Sequence, residues 1–306
     1  MLGLIAMAIN RLQNCLRNRV DMKLSDIYMR DPYVYVEDGV CYLIGTSDVQ
    51  AWGGKASGFL GYKSTNLEDF EGPYFLFERD PSFWADENFW APELHKINGK
   101  YFIFASFYKE GRRRASQVLM SSSPFGRYIP SKKPFTPEGW DCLDATHYEE
   151  EGKHYAIFCH EWVQCGDGEI CLGELNEDFT SLNNGEVLFR GSEAPWAVPH
   201  DENKGVVGYV TDGPFLFKDD EGRLCMIWSS FSKDGYSLGV AISQGGVRGP
   251  WKQEEKPLLS NGGGHGMVFS FKGKRCLIVH INNDDHPHER PFIAELKEKG
   301  GRFALE

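Results

Sequence analysis

From position 30 onward the chain repeats one pattern: a small polar or acidic step, a stretch in which apolar and polar residues alternate, a tight turn, and a second apolar run. The first copy is Arg30-Asp31-Pro32-Tyr33-Val34-Tyr35-Val36, turning at Asp38-Gly39 into Val40 to Thr46. The second is Trp90-Ala91-Pro92-Glu93-Leu94-His95, turning at Asn98-Gly99 into Lys100 to Ser106. Leu143-Asp144-Ala145-Thr146-His147-Tyr148 follows with its turn at Glu151-Gly152 and a strand from His154 to His160. The fourth copy, Thr211-Asp212-Gly213-Pro214-Phe215-Leu216-Phe217, turns at Glu221-Gly222 into Arg223 to Ser229, and the fifth, Gly264-His265-Gly266-Met267-Val268-Phe269, turns at Lys272-Gly273 into Arg275 to His280. Alternation with a period of two marks a half-buried strand, and the X-Gly pairs supply the positive φ of hairpin turns, so each copy predicts a β-hairpin. Outer strands are predicted at Phe59 to Ser64, Ala115 to Ser122 and Leu238 to Ser243.

The stepped residues Asp31, Glu93, Asp144, Asp212 and His265 lie 62, 51, 68 and 53 positions apart, which is room for four strands each. Five such units closing into a ring make an all-β, five-bladed β-propeller. The first strand of every blade then lines a central channel, and the five steps converge on one face. No Pro- or Ser-rich linker interrupts the pattern, so residues 22–306 are expected to form a single propeller domain and residues 1–21 an N-terminal extension, helical or disordered.

Composition narrows the partners. A net charge of -11 and a pI near 5.4 oppose binding to the phosphate backbone of nucleic acid and to polyanionic polysaccharides. Of eight cysteines, Cys41, Cys159, Cys171, Cys225 and Cys276 sit in apolar strand-like runs, and no CxxC pair occurs, so all are expected to be reduced and free of zinc. The first nine residues are apolar but lack a preceding basic region, and Arg11, Arg17 and Arg19 stand where a cleavage site would fall. That run is far short of the ~20 residues that span a bilayer. The expectations are a cytoplasmic location and no membrane partner.

Four acids and a histidine at the mouth of a channel are costly to desolvate unless charge is wanted there. The structural alternative is that an Asp before Pro or Gly caps a turn. Hydrolysis of a glycosidic bond calls for such a set: one carboxylate to deprotonate water, one carboxylic acid to protonate the leaving oxygen, and a third to raise the acid's pKa. Tryptophans near the steps, Trp90 and Trp196 above all, could stack on a sugar face, although most propeller tryptophans are core. Arg290 could clamp hydroxyls, its alternative being a surface ion pair.

Arg30-Asp31-Pro32, Phe89-Trp90-Ala91-Pro92-Glu93, Asp144 on the third step and Asp212-Gly213-Pro214 resemble glycoside hydrolase family 43 over residues 24 to 295. The resemblance implies Asp31 as general base, Asp144 as pKa modulator, a blade-four acid as proton donor, and inversion at the anomeric carbon. Family members carry Glu-Gly-Pro where this chain has Asp212-Gly213-Pro214, whereas Ser192-Glu193-Ala194-Pro195-Trp196 lies just upstream. Glu193 has the expected side chain and the longer reach, so it is the preferred donor and Asp212 the alternative. Trp90, Glu93, Trp196, His265 and Arg290 are the expected substrate contacts. His265, which follows a run of glycines, is also the residue through which such proteins contact a channel cation, commonly Ca2+, by way of water; no cofactor is required for the chemistry. The function expected is removal of terminal neutral sugars, arabinofuranose or xylose with galactose open, from an oligosaccharide substrate. A glycoside phosphorylase and a non-catalytic carbohydrate-binding propeller are the alternatives.

Overall fold

The computed structural model describes residues 20–201 and 205–306. Five antiparallel sheets stand around an axis. Counted outward from the axis, blade one comprises Arg30–Glu37, Val40–Thr46, Gly58–Ser64 and Asp69–Glu78, with Val20–Lys23 added at its rim. Blade two is built from Glu87–Ile97, Lys100–Tyr108, Ala115–Ser121 and Ile129–Pro130, and blade three from Cys142–Glu150, Lys153–His160, Glu169–Leu175 and Leu182–Arg190. Asp212–Lys218, Leu224–Ser232, Gly235–Ser243 and Trp251–Gln253 form blade four, and Gly264–Phe271, Lys274–Ile281, Arg290–Lys299 and Arg302–Leu305 form blade five. The five-bladed propeller expected from the repeats is the fold observed. Of the expected N-terminal extension only Val20 and Asp21 fall among the described residues, and they pair with Gly72 and Glu71 at the rim of blade one.

The core is divided among the seams between blades, because each sheet can bury both faces only against its neighbours. Phe59, Phe77, Phe89 and Phe107 interlock between blades one and two, with ring centroids 4.9–6.3 Å apart. Ile157, Leu172, Trp196, Met226 and Trp228 fill the seam between three and four. The seven described cysteines are all free thiols, six of them buried, and Cys15 lies outside the described residues.

Each innermost strand carries a bulge near its start, and the extra residue has positive φ: Asp31 at 50°, Ala91 at 45°, Asp144 at 55°, Gly213 at 51° and His265 at 41°. These five are the equivalent positions around the ring. The register therefore differs from the expected one by two residues in blade two, where Ala91 rather than Glu93 stands at the step, and by one in blade four, where Gly213 rather than Asp212 does. A bulge turns its own N–H out of the ladder, and here the preceding blade receives it. Ala91 N donates to Thr46 Oγ1 at 2.8 Å, Asp144 N to Ser106 Oγ at 2.8 Å and His265 N to Ser229 Oγ at 2.8 Å. Asp31 N closes the ring by donating to His280 Nδ1 at 3.2 Å. In blade three the equivalent acceptor position is Cys159, paired with Leu143. A thiol is a poor acceptor, and Gly213 N donates instead to Asp144 Oδ2 at 3.1 Å, tying the third step to the fourth.

Blade five is drawn wholly from the C-terminal part of the chain, so side chains hold the ring shut against blade one. Arg30 Nη1 donates to Glu289 Oε1 at 2.7 Å and Arg30 Nη2 to Asn283 Oδ1 at 2.9 Å, while Arg290 Nε reaches Ser25 O at 3.1 Å. Glu289 is fully buried, so removing its charge strands the Arg30 guanidinium in the seam. Glu289→Gln is expected to lower unfolding stability by about 3 kcal/mol, measured by urea denaturation. A change within the error of that measurement would show that the pair does not hold the seam.

Candidate active site

The steps open into a cavity of about 880 Å³ lined from every blade. Arg30, Asp31 and Trp52 come from blade one, Trp90 and Arg112–Arg114 from blade two, and Asp144 and Glu161 from blade three. Asp212 and Tyr236 come from blade four, His265 and Asn283 from blade five, with His200 and Asp201 from the hairpin between blades three and four. Asp31, Asp144, Asp212, Trp90 and His265, all expected from the sequence, are thus brought together.

Four groups surround the Asp31 carboxyl. Thr46 Oγ1 donates to its Oδ2 at 2.6 Å, His265 Nδ1 lies 3.2 Å and His280 Nδ1 3.5 Å from Oδ1, and Arg30 is adjacent in the chain. Burial pushes this carboxyl up, but His265, Arg30 and the Thr46 hydroxyl outweigh it, leaving the pKa below the usual Asp value. His280 is buried and neutral, its own pKa lowered to about 3 chiefly by desolvation. It accepts the Asp31 N–H on Nδ1 and directs Nε2 at Asn283 Oδ1, 3.1 Å away, which fixes its tautomer.

The other two carboxyls go the opposite way. Asp144 is raised well above the usual value by burial first, then by repulsion from Asp212 and Asp31. Burial also lifts Asp212, to about 7, against the Tyr236 hydroxyl, which donates to Asp212 Oδ2 at 3.0 Å. The cavity therefore presents one carboxylate prepared to stay ionised and another prepared to hold a proton near neutral pH, the division of labour that acid–base hydrolysis of an acetal requires.

Other expected contacts lie elsewhere. Glu193 is exposed, outside the cavity, in a 3-10 turn over Gly191–Glu193, and its Oε1 accepts the Arg190 N–H at 2.9 Å. Its resemblance to a catalytic motif reflects capping of that turn. Trp196 packs in the core against Trp228, centroids 5.1 Å apart, and leaves no room for a Cβ at Gly239. Arg290 stays with Ser25, Pro287 and its own neighbour Glu289, away from the cavity. Glu93 stands two residues below the step, in the channel, where burial raises its carboxyl to about 8 and His95 Nε2 lies 3.0 Å from Oε2.

Sequence reasoning missed Arg114, Glu161 and Tyr236. Arg114 is buried over Trp90, 4.0 Å from its ring centroid, and its Nε lies 3.2 Å from Glu161 Oε2. Glu161 could have been found as the residue directly after the second strand of its blade, a place on the cavity rim. Arg30 and Arg114 flank a Trp52–Trp90 pair with centroids 5.4 Å apart, so this wall offers stacking surface backed by cations. Trp52, 56 % exposed, is the free face of that wall.

Among the described residues, His160, Cys165 and Glu169 bring one potential metal ligand each to within 4.8 Å of one another. Each already has protein partners: His160 Nδ1 faces Glu169, His160 Nε2 faces Gln164, and Glu169 Oε1 accepts from Arg190 at 2.7 Å. Burial also lifts the Cys165 thiol to about 11, against the thiolate a metal needs. No helix among the described residues is long and apolar enough to cross a membrane.

An endo-arabinase from Bacteroides thetaiotaomicron superposes with a TM-score of 0.84 at 36% identity, covering 92% of this chain and 99% of that one. An extracellular exo-alpha-(1->5)-L-arabinofuranosidase of Streptomyces chartreusis is 27% identical over 56% of this chain and 53% of its own length. Alpha-L-arabinofuranosidase 43 of Humicola insolens is 25% identical over 68% of this chain and 47% of its own. The chain thus spans about half the length of the curated relatives it matches. The model of the glycosyl hydrolases family 43 matches residues 25–299, nearly the whole propeller with its three converging aspartates, and the chain belongs to that family.

Proposed function

We propose that the chain is an inverting glycosidase that removes terminal α-L-arabinofuranose units from oligosaccharides. The observation that carries this is the opposite displacement of two cavity carboxyls, Asp31 downward and Asp212 upward to about 7. Asp31 takes a proton from the attacking water on one face of the sugar ring. Asp212 delivers its proton to the leaving oxygen on the other. Asp144, bound to Gly213 N, stands beside Asp212 and is itself pushed up by burial and by Asp212 and Asp31, while the repulsion that adds to burial in lifting Asp212 comes from Asp31 and Glu161. Tyr236 orients the donor. The relatives named above agree on arabinose and differ in where the chain is cut; walls contributed by all five blades favour an enclosed terminal subsite and therefore exo action.

A channel cation fits this reading through His265, whose neighbour Glu93 adds a carboxyl. Ca2+ takes six to eight oxygen ligands, so water would complete its shell, and its charge would help neutralise the carboxylates above it.

The test is a panel of nitrophenyl α-L-arabinofuranoside, β-D-xyloside and β-D-galactoside, with the first-formed anomer followed by NMR and the assays repeated after chelation. The expected result is fastest release from the arabinofuranoside, with a β-configured product and reduced rates after chelation that Ca2+ restores. A first-formed α product would refute inversion, release that requires phosphate would favour a phosphorylase, and binding without release would favour a non-catalytic propeller. Indifference to chelation would remove the cation.

A further inference from the structure

Although the chain as a whole is acidic, one wall of the cavity is not. Arg112, Arg113 and Arg114 lie side by side on it, facing the two nearby carboxylates Asp141 and Glu161. The backbone of this loop is pinned: Arg114 N donates to Asp141 Oδ1 at 2.8 Å and Cys142 N to Arg114 O at 2.9 Å. Asp141 Oδ2 also holds Arg113 Nη1 at 2.6 Å. Arg112 is exposed and has no ion-pair partner among the described residues.

Arg114 is the informative member. It is 8 % exposed, its guanidinium carbon lies 4.0 Å from the Trp90 ring centroid and 5.2 Å from that of Tyr108, and Glu161 takes its Nε edge. Nη1 is buried with no partner. Buried polar groups are rarely left unpaired, and a charged donor least of all, so the Arg114 guanidinium that lines the cavity keeps donor capacity that protein groups do not use. The rings and the pinned loop hold this fork in place before anything binds, which reduces the entropy lost on binding.

We propose that Arg112 and Arg114 form an anion subsite that receives the carboxylate of a uronic acid unit adjoining the cleaved sugar. A neutral hydroxyl could accept from the Arg114 guanidinium but would leave the excess positive charge of Arg112 unanswered, whereas a carboxylate meets both through charge-assisted hydrogen bonds. The overall charge of -11 still repels a polyanionic polymer, so the substrate is one whose charge is isolated beside neutral arabinose. The placement of the subsite next to a cleaved sugar rests on the hydrolase reading above.

The test is calorimetric titration of the wild-type protein in low salt with digalacturonate, with its carboxyl-reduced neutral counterpart, and with inorganic phosphate. Digalacturonate is expected to bind about tenfold tighter than the neutral form, with an advantage that shrinks as salt rises. Arg114→Gln should abolish that preference and Arg112→Ala should weaken it at least threefold. Should Arg114→Gln fail to fold by circular dichroism, the exposed Arg112→Ala variant and the salt series decide alone. Equal binding of the two sugars, an unchanged preference in Arg112→Ala, or tighter binding of phosphate than of digalacturonate would overturn the subsite. Hydrolysis of nitrophenyl α-L-arabinofuranoside is followed in parallel: its absence with the preference intact sinks the hydrolase reading alone, and its presence without the preference sinks the anion subsite alone.

Discussion

Asp31→Asn is expected to cut kcat by between about a hundredfold and ten-thousandfold on any arabinofuranoside, with KM little changed. The substitution isolates the chemistry, because Asn accepts the left-handed backbone found at Asp31, φ 50°, and keeps the side-chain shape. What disappears is the ability to accept a proton from water. Azide attacks without needing deprotonation, so adding it to the variant should restore turnover and give a glycosyl azide of inverted configuration. The pH profile carries the same signature. Wild-type activity should rise with pH as Asp31 ionises, at a pH below the usual Asp range because His265, Arg30 and Thr46 favour its charged form. That acidic limb should be missing in the variant. Activity within tenfold of wild type would remove Asp31 from the role of base.

The second large effect separates the two donor candidates. Asp212→Asn should lower kcat on an arabino-oligosaccharide by about a hundredfold or more, yet change little with a dinitrophenyl leaving group, which departs without protonation. A proton donor works only while protonated. With Asp212 raised to about 7, wild-type activity should hold at acidic pH and fall as pH climbs through that value, and the variant should lose this alkaline limb. Glu193→Gln, on an exposed turn outside the cavity, should stay within twofold of wild type on both substrates. The reverse pattern would return the donor role to Glu193.

Glu193, preferred from the sequence, stands outside the cavity for a reason that local resemblance does not carry. Ser192-Glu193-Ala194-Pro195-Trp196 matches a catalytic phrase in residue type, but no hairpin follows it, so no innermost strand carries its acid to the axis. Trp196 failed for the same reason. Asp212, though one methylene shorter than the usual glutamate, sits immediately before a bulge on such a strand, which brings it into the cavity. Glu93 illustrates the finer limit. Its Trp-Ala-Pro-Glu phrase belongs to a true first strand, but the bulge falls at Ala91, and two residues along the strand move a carboxyl from the cavity into the channel.

By itself the sequence determined the five hairpins, their order and the strands that begin near the axis, because strand alternation and turn chemistry are local and were written five times. It also determined that Asp31, Asp144 and His265 would meet, since each occupies the same place in its repeat. Tertiary structure alone decided where each bulge falls, and hence that Gly213 rather than Asp212 stands at the fourth step, because a bulge shows only in pairing with the neighbouring strand. It alone decided that Thr46, Ser106, Ser229 and His280 receive the bulge N–H groups across the seams, and that Cys159 passes this task to Asp144. The opposite shifts of Asp31 and Asp212, and the unpartnered Nη1 of Arg114, arise from burial and from groups that the fold brings alongside, several of them from other blades. Such through-space terms depend on distances that no linear spacing contains.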